Sequence, residues 1–209
     1  MKKVTCSLIL GILLVASGTM SLGDEGEYGP FFVFRFYGDL APYGEGRHPG
    51  VDFDLPIGTP IIAASDGIVT LVYPGSCGKM YVGGCSVSIK HGEHFESGYA
   101  HLSKVFVGGG QPVKRGQLIG LSGASGGTFE HLHFAIMRIL GNSLLYSDSY
   151  DPANFFLGGK AQCFDPNKDY SSYSQKEITL PVACGEYAKI LIKEADKLET
   201  VTTCIMCDQ

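Results

Sequence analysis

Six histidines occur in this chain of 209 residues, and several sit where imidazole can do chemistry. The densest setting is His131-Leu132-His133. On a strand, residues two apart point to the same face, so both imidazoles face one side while Leu132 and Phe134 enter a core. Two imidazoles on one face can bind a metal, flank one, or simply be solvated. A second setting is His48-Pro49-Gly50-Val51-Asp52. Pro49 and Gly50 forbid a regular helix, so the segment reads as a loop entering a strand. Such a bend can aim His48 and Asp52 at one point, although an ordinary polar turn has the same look. The third setting, Tyr99-Ala100-His101-Leu102, places one histidine after a short strand, where a lone imidazole is more often structural.

Taken together, the three segments match one chemical need. A hydrolytic zinc site takes three protein ligands of nitrogen or oxygen type and leaves a position open for water. Two histidines and one carboxylate leave the site with a net charge of about +1, which acidifies a bound water and polarises a peptide carbonyl. Proton-handling groups are needed beside it, and histidine near its free pKa suits that task. Three ligands and two further histidines fill this requirement.

The elements that must carry these residues read as short strands. Val51-Asp52-Phe53-Asp54-Leu55 alternates apolar and acidic residues. Pro60-Ile61-Ile62-Ala63-Ala64 leads into the turn Ser65-Asp66-Gly67, and a β-rich run continues to Tyr73. Val87-Ser88-Ile89-Lys90, Gly98-Tyr99-Ala100-His101-Leu102, Gly116 to Leu121 and His131 to Ile136 complete the set. Glycine at 29 residues, with abundant Val, Ile, Tyr and Phe, supports short strands joined by tight turns. The expected fold is mainly β, a small antiparallel sheet or sandwich. A composition change near residue 158 marks a C-terminal extension. Its residues 161–182 are polar and aperiodic, and Glu186 to about Thr200 reads as one amphipathic helix with Tyr187, Ile190, Leu191 and Ile192 as its apolar residues.

The N-terminus has the pattern of a signal peptide. Lys2 and Lys3 precede an apolar run from Val4 to about Ala16, followed by small residues at Ala16-Ser17-Gly18 and Ser21-Leu22-Gly23. The run is too short for an ordinary transmembrane helix. The reading is therefore a signal at 1–23, a main domain with an N-terminal lead-in at 24–158, and a Cys-rich extension at 159–209. Cleavage removes two lysines and no acid, taking the formal charge from −5 to −7. A chain this acidic has no general footprint for nucleic acid. Cys6 leaves with the signal and six cysteines remain, an even number that suits disulfides in an exported chain. Separation suggests Cys77–Cys85 as a local staple, with Cys163, Cys184, Cys204 and Cys207 pairing among themselves. Cys204-Ile205-Met206-Cys207 has the spacing of a redox or zinc pair, for which a structural role is expected.

The ordered motifs resemble the M23 family of peptidases, the lysostaphin-like or LytM-type domain. The residues that carry the resemblance are His48-Pro49-Gly50-Val51-Asp52, the stretch from Gly58 to Val69, Tyr99-Ala100-His101-Leu102-Ser103, Gly116 to Gly123, His131-Leu132-His133-Phe134 and Asp151-Pro152. It covers roughly residues 43–157. The resemblance implies a small antiparallel β domain with a zinc groove on one sheet. It implies His48, Asp52 and His133 as ligands of one zinc ion, and His101 and His131 as catalytic residues beside it. It also implies hydrolysis of peptide bonds in bacterial cell-wall peptidoglycan through a metal-activated water. The expected protein is an exported monomer, periplasmic or secreted, acting on peptidoglycan peptides, with no integral membrane span once the signal is gone.

Departures and alternatives follow from particular residues. Glu130 stands where the family often has a small residue or proline, so it narrows the groove or adds a carboxylate near His131. Asp54 would share the strand face of Asp52 and reads as supporting or solvated. His91 and His94 fall in a turn and read as structural or solvated. One alternative is a catalytically silent LytM-type binding or regulatory module; complete ligand positions argue against it. Another is a biotinyl- or lipoyl-carrier-like domain, suggested by Gly116-Gln117-Leu118-Ile119-Gly120; the histidine set and the export signal argue against that.

Overall fold

The computed structural model describes residues 32–40, 46–73, 83–141 and 145–206, with side chains described to residue 198. The signal-peptide reading and Cys77 and Cys207 lie outside these residues. The strands are β1 Val33–Arg35, β2 Val51–Phe53, β3 Pro60–Ile62, β4 Gly67–Tyr73, β5 Cys85–His91 and β6 Phe95–Leu102. They continue with β7 Lys104–Val105, β8 Pro112–Val113, β9 Leu118–Leu121, β10 Leu132–Met137 and β11 Ser149–Tyr150; α1 spans Gly185–Met206. The main sheet runs β1-β2-β10-β6-β5-β4-β8, with β11 beside β10, and a small sheet runs β3-β9-β7. Every strand pairing in both sheets is antiparallel.

The fold class agrees with the sequence. β4 has the expected bounds, and β5, β6, β9 and β10 lie within a few residues of theirs. β1, β7, β8 and β11 carry no clear periodicity, because strands of two or three residues are shorter than the window in which alternation can be seen. On β10 the alternation acts as expected: Leu132, Phe134 and Ile136 enter the core, and His133 takes the opposite face. The core also contains Phe53, Ile61, Ile89, Tyr99 and Ile119, so the main sheet packs on the small one.

Four local readings change. β2 ends at Phe53, so Asp54 is exposed instead of sharing the strand face of Asp52. His91 closes β5 and does not lie in a turn. It is fully buried: Nδ1 donates to the Asp66 carbonyl at 2.8 Å, and Nε2 lies 2.7 Å from Ser97 Oγ. Ser97 Oγ is in turn 2.9 Å from the Tyr99 hydroxyl, which receives the Ala64 N–H at 2.9 Å. Hydroxyl hydrogens running from Tyr99 to Ser97 to His91 satisfy this chain with His91 neutral. In α1, Leu191 and Ala195 are buried while Ile190 and Ile192 are exposed. The four-residue spacing of 187, 191 and 195 keeps them on one side of the helix, and neighbouring positions turn away. Glu130 is exposed, with Oε2 accepting from the Ile57 N–H at 3.4 Å, so it ties down the loop after β2.

The C-terminal extension shares the core. Ile178, Leu180 and Val182 join the main cluster, while Phe164, Ala183, Leu191 and Ala195 pack with Ile62, Leu118 and Leu121 of the small sheet. Arg115 pins the two together by donating to the Ala64 carbonyl, Ser65 Oγ and the Glu177 carbonyl at 2.7 to 2.9 Å. Cys163 and Cys184 form a disulfide, within the set expected to pair among itself, and Cys85 is also disulfide-bonded.

Two outcomes follow. Cys163→Ser opens a loop closed over 21 residues and should lower the unfolding free energy by about 3 kcal/mol, read from urea denaturation. Burial, partly opposed by the Asp66 carbonyl, pushes the pKa of His91 down to about 4 from 6.5. Both folded and unfolded chains leave it neutral above pH 6.5. Between 6.5 and 4 only the unfolded chain takes up the proton, so stability falls with pH, by on the order of 3 kcal/mol in all. His91→Gln, which does not titrate, should flatten that part of the stability-against-pH curve; an unchanged slope would assign it to other groups.

Candidate metal centre

Three neighbouring elements bring the chemistry together. In the register of the main sheet, His133 on β10 lies opposite Asp52 on β2 and Ala100 on β6. Residues directly paired across strands share a face, so Asp52 and His133 meet by sheet geometry alone. His48 precedes β2 by a short loop whose Gly50 lets the chain pass close to β10. A Cβ at Gly50 would overlap the Phe134 carbonyl and lie 2.9 Å from His133 Cε1. His131 stands just before β10 in an isolated bridge with Gly123. His101 lies near the end of β6 with φ +62°, a left-handed conformation that costs a non-glycine residue of order 1 kcal/mol or more. Its N–H donates to the Gly83 carbonyl at 2.9 Å, which helps to hold the strained backbone.

The distances are short and the groups are buried. Asp52 Oδ1 is 2.8 Å from His133 Nδ1, 3.1 Å from His48 Nε2 and 3.8 Å from His131 Nε2. His48 Nε2 and His133 Nδ1 are themselves 3.1 Å apart. The ligand atoms of His48, Asp52 and His133 all lie within 4.8 Å of one another, and all three residues are buried. The rings of His101 and His131 have centroids 4.4 Å apart, and His101 and His133 6.1 Å apart. All five residues singled out in the sequence therefore meet at one place. His91 is buried elsewhere, against Asp66 and Ser97.

Backbone carbonyls fix the protonation pattern. His48 Nδ1 lies 3.0 Å from the Phe36 carbonyl, His101 Nδ1 2.9 Å from that of Ser125, and His131 Nδ1 2.9 Å from that of Phe129. A carbonyl can only accept, so each Nδ1 carries the hydrogen and each Nε2 presents a lone pair. For His48 that lone pair faces the Asp52 carboxylate, acceptor against acceptor. Two imidazole nitrogens and a carboxylate oxygen this close need a cation among them. A proton serves one pair, and a divalent ion serves all three. The nitrogen, nitrogen and oxygen donor set, with the tautomer of His48 held from behind, fits a zinc-type ion.

Electrostatics agree with this reading. Burial raises the Asp52 carboxyl, but the hydrogen bond from His133 and positive charge on the His133 and His48 side outweigh it and hold the group ionised well below the usual range. With the His48 Nε2 lone pair facing the same oxygen, a cation bound among the three groups would supply that charge. Burial, reinforced by the charge of His131, pushes His101 down to about 4. Burial also lowers His131, against the attraction of Asp52. Both flanking imidazoles are thus neutral near pH 7 and able to accept a proton at Nε2.

Sequence reasoning missed the groups behind this set. The Phe36, Phe129 and Ser125 carbonyls belong to residues whose side chains give no sign of the role. Ser125 also accepts the Cys85 N–H at 2.9 Å and donates to the Leu102 carbonyl at 2.7 Å, so it ties β5 and β6 beside His101. Arg35, on β1, approaches Asp52 Oδ2 at 3.7 Å. Phe34 and Phe129 pack around His131, with centroids 5.5 and 4.9 Å from its ring.

Comparison with known proteins bears on this arrangement. The family model of peptidase family M23 matches residues 46–151. The chain is similar to the peptidoglycan DD-endopeptidase ShyA of Vibrio cholerae, with 44% identity over 91 residues, 43% of this chain and 20% of that protein. It is 42% identical to lysostaphin of Staphylococcus simulans over 113 residues, 53% of this chain and 21% of that protein. The alignments thus span about a fifth of these curated relatives. Among solved structures, the catalytic domain of lysostaphin superposes with a TM-score of 0.51 at 36% identity, covering 60% of this chain and 91% of that domain. The stretch matched by the family model contains His48, Asp52, His101, His131 and His133, and the chain belongs to peptidase family M23.

Proposed function

We propose that the chain is a zinc metalloendopeptidase that hydrolyses peptide bonds of bacterial peptidoglycan. The observation that carries this reading is the buried convergence of His48, Asp52 and His133, with the Nε2 atoms of His101 and His131 left as acceptors beside them. His48, Asp52 and His133 hold the ion; when bound, zinc supplies Lewis-acid activation of a water and of the scissile carbonyl. His101 and His131 handle the proton. In the tautomer set by Ser125 and Phe129, neither ring can donate from Nε2 until it has taken a proton there. The ring that accepts the water's proton thereby becomes the donor for the developing oxyanion or the departing amine. Rings with centroids 4.4 Å apart repel if both are charged, so the pair carries one proton at a time.

The names of the relatives support peptidoglycan as the substrate: ShyA is a peptidoglycan DD-endopeptidase, and a Staphylococcus capitis relative with 42% identity over 113 residues is a glycyl-glycine endopeptidase. We read residues 1–23 as an export signal, 24–158 as the peptidase unit and 159–209 as its extension, with the mature monomer periplasmic or secreted. Among the described residues, no helix is long and apolar enough to cross a membrane.

The purified mature protein should contain about one zinc ion per chain by elemental analysis and should digest purified peptidoglycan. His133→Ala should lower that activity more than about a hundredfold, because losing a ligand costs more than losing an outer-shell partner. Zinc well below stoichiometric, or undiminished activity in His133→Ala, would refute the reading. Gly50→Ala tests the positioning of the ligand. The added methyl meets the Phe134 carbonyl and His133 Cε1, so zinc occupancy should fall while the circular dichroism of the β fold is retained.

A further inference from the structure

We infer that Arg35 is a substrate-binding residue that takes a carboxylate of the wall peptide beside the metal centre. The inference rests on the proposed peptidase reading and adds to it a substrate preference and a residue that lies before the stretch matched by the family model.

A bulge aims the side chain. Val33 pairs with Phe53, and the next pairing is Arg35 with Asp52, so two residues of β1 advance against one of β2. In an unbroken strand Arg35 would share the face of Val33, which is buried in the core. The bulge turns it to the face of Asp52 and His133. Bulges are frequent beside active sites because they re-aim a side chain in this way.

The guanidinium has donors to spare. Among the described residues its contact is with Asp52 Oδ2 at 3.7 Å, longer than the roughly 2.7–2.9 Å of a charge-assisted hydrogen bond, and the side chain is 29% exposed. Five N–H donors in a planar fork match a carboxylate in a way a lone ammonium does not. A cation held by Asp52, His48 and His133 would neutralise the carboxylate and loosen its hold on Arg35. One strand spacing, about 5 Å, separates β1 from β2, and an extended peptide advances about 3.3 Å per residue. A carboxylate within one or two residues of the scissile bond therefore falls within reach. Stem peptides of peptidoglycan are chemically suited, since they carry free carboxylates next to their amide links.

The test compares cross-linked wall peptides bearing free α-carboxylates with the same peptides fully amidated, on the zinc-loaded full chain. Wild type should favour the carboxylate form about tenfold or more in kcat/KM, the size of a charge-assisted hydrogen bond. Arg35→Gln should bring the preference below about twofold, chiefly by raising KM for the carboxylate peptide, and Arg35→Lys should retain part of it. Zinc content is measured in each variant. No preference in wild type, or an equal loss on both peptides in Arg35→Gln, overturns the inference and leaves the peptidase reading standing. If neither peptide is cut, calorimetric binding of the two peptides to wild type and Arg35→Gln decides the same question, separately from hydrolysis.

Discussion

Asp52 holds a negative charge at 2% exposure, with one oxygen about 3 Å from two imidazole nitrogens. An ionised carboxylate taken out of water costs several kcal/mol unless it is paired and hydrogen-bonded. The centre is organised around that cost. The register of β2 against β10 delivers His133, the loop with Gly50 delivers His48, and β1 adds Arg35 at the second oxygen. His133 and Arg35 offset part of the burial penalty, and the Nε2 lone pair of His48 facing the same carboxylate makes a divalent ion a natural occupant. A pairing slip of one residue between β2 and β10 would turn His133 into the core and leave Asp52 unpaired.

Around this carboxylate the histidines are set from behind by the backbone. Three of the four imidazoles at the centre give Nδ1–H to a carbonyl, which leaves Nε2 as an acceptor. Rotation of any ring would break that bond and expose the wrong atom. The strained φ of His101 fits the same account: its cost is met by the Gly83 and Ser125 carbonyls, and the imidazole lies tilted against that of His131. Burial then keeps both flanking rings neutral, the state a proton acceptor needs.

The C-terminal extension belongs to the same folded body. Its apolar residues complete the main core and cover the small sheet, while Arg115 and the Cys163–Cys184 disulfide hold it in place. Polar composition over 161–182 hides this. A few buried residues, such as Ile178 and Leu180, carry the contact, and their neighbours are solvated.

Residue types and spacing were enough for much of this protein. Alternation along β10 and the Pro-Gly bend before β2 marked His131, His133, His48 and Asp52, and the ordered motifs marked the β fold and His101. These are readable because metal ligands must be specific residue types and because strand periodicity is local. Tertiary structure alone decided the rest. It showed that Asp54 leaves the strand, that Glu130 ties down a loop, that His91 is a buried core group, and that Ile190 and Ile192 face water. It also brought in Arg35 through a bulge and the carbonyls of Phe36, Ser125 and Phe129 as the groups that set the tautomers. Every residue has a carbonyl, and a bulge moves a side chain to the other face without changing its type. Such roles depend on which backbone atoms meet across the sheet, and that is determined only when distant segments pair.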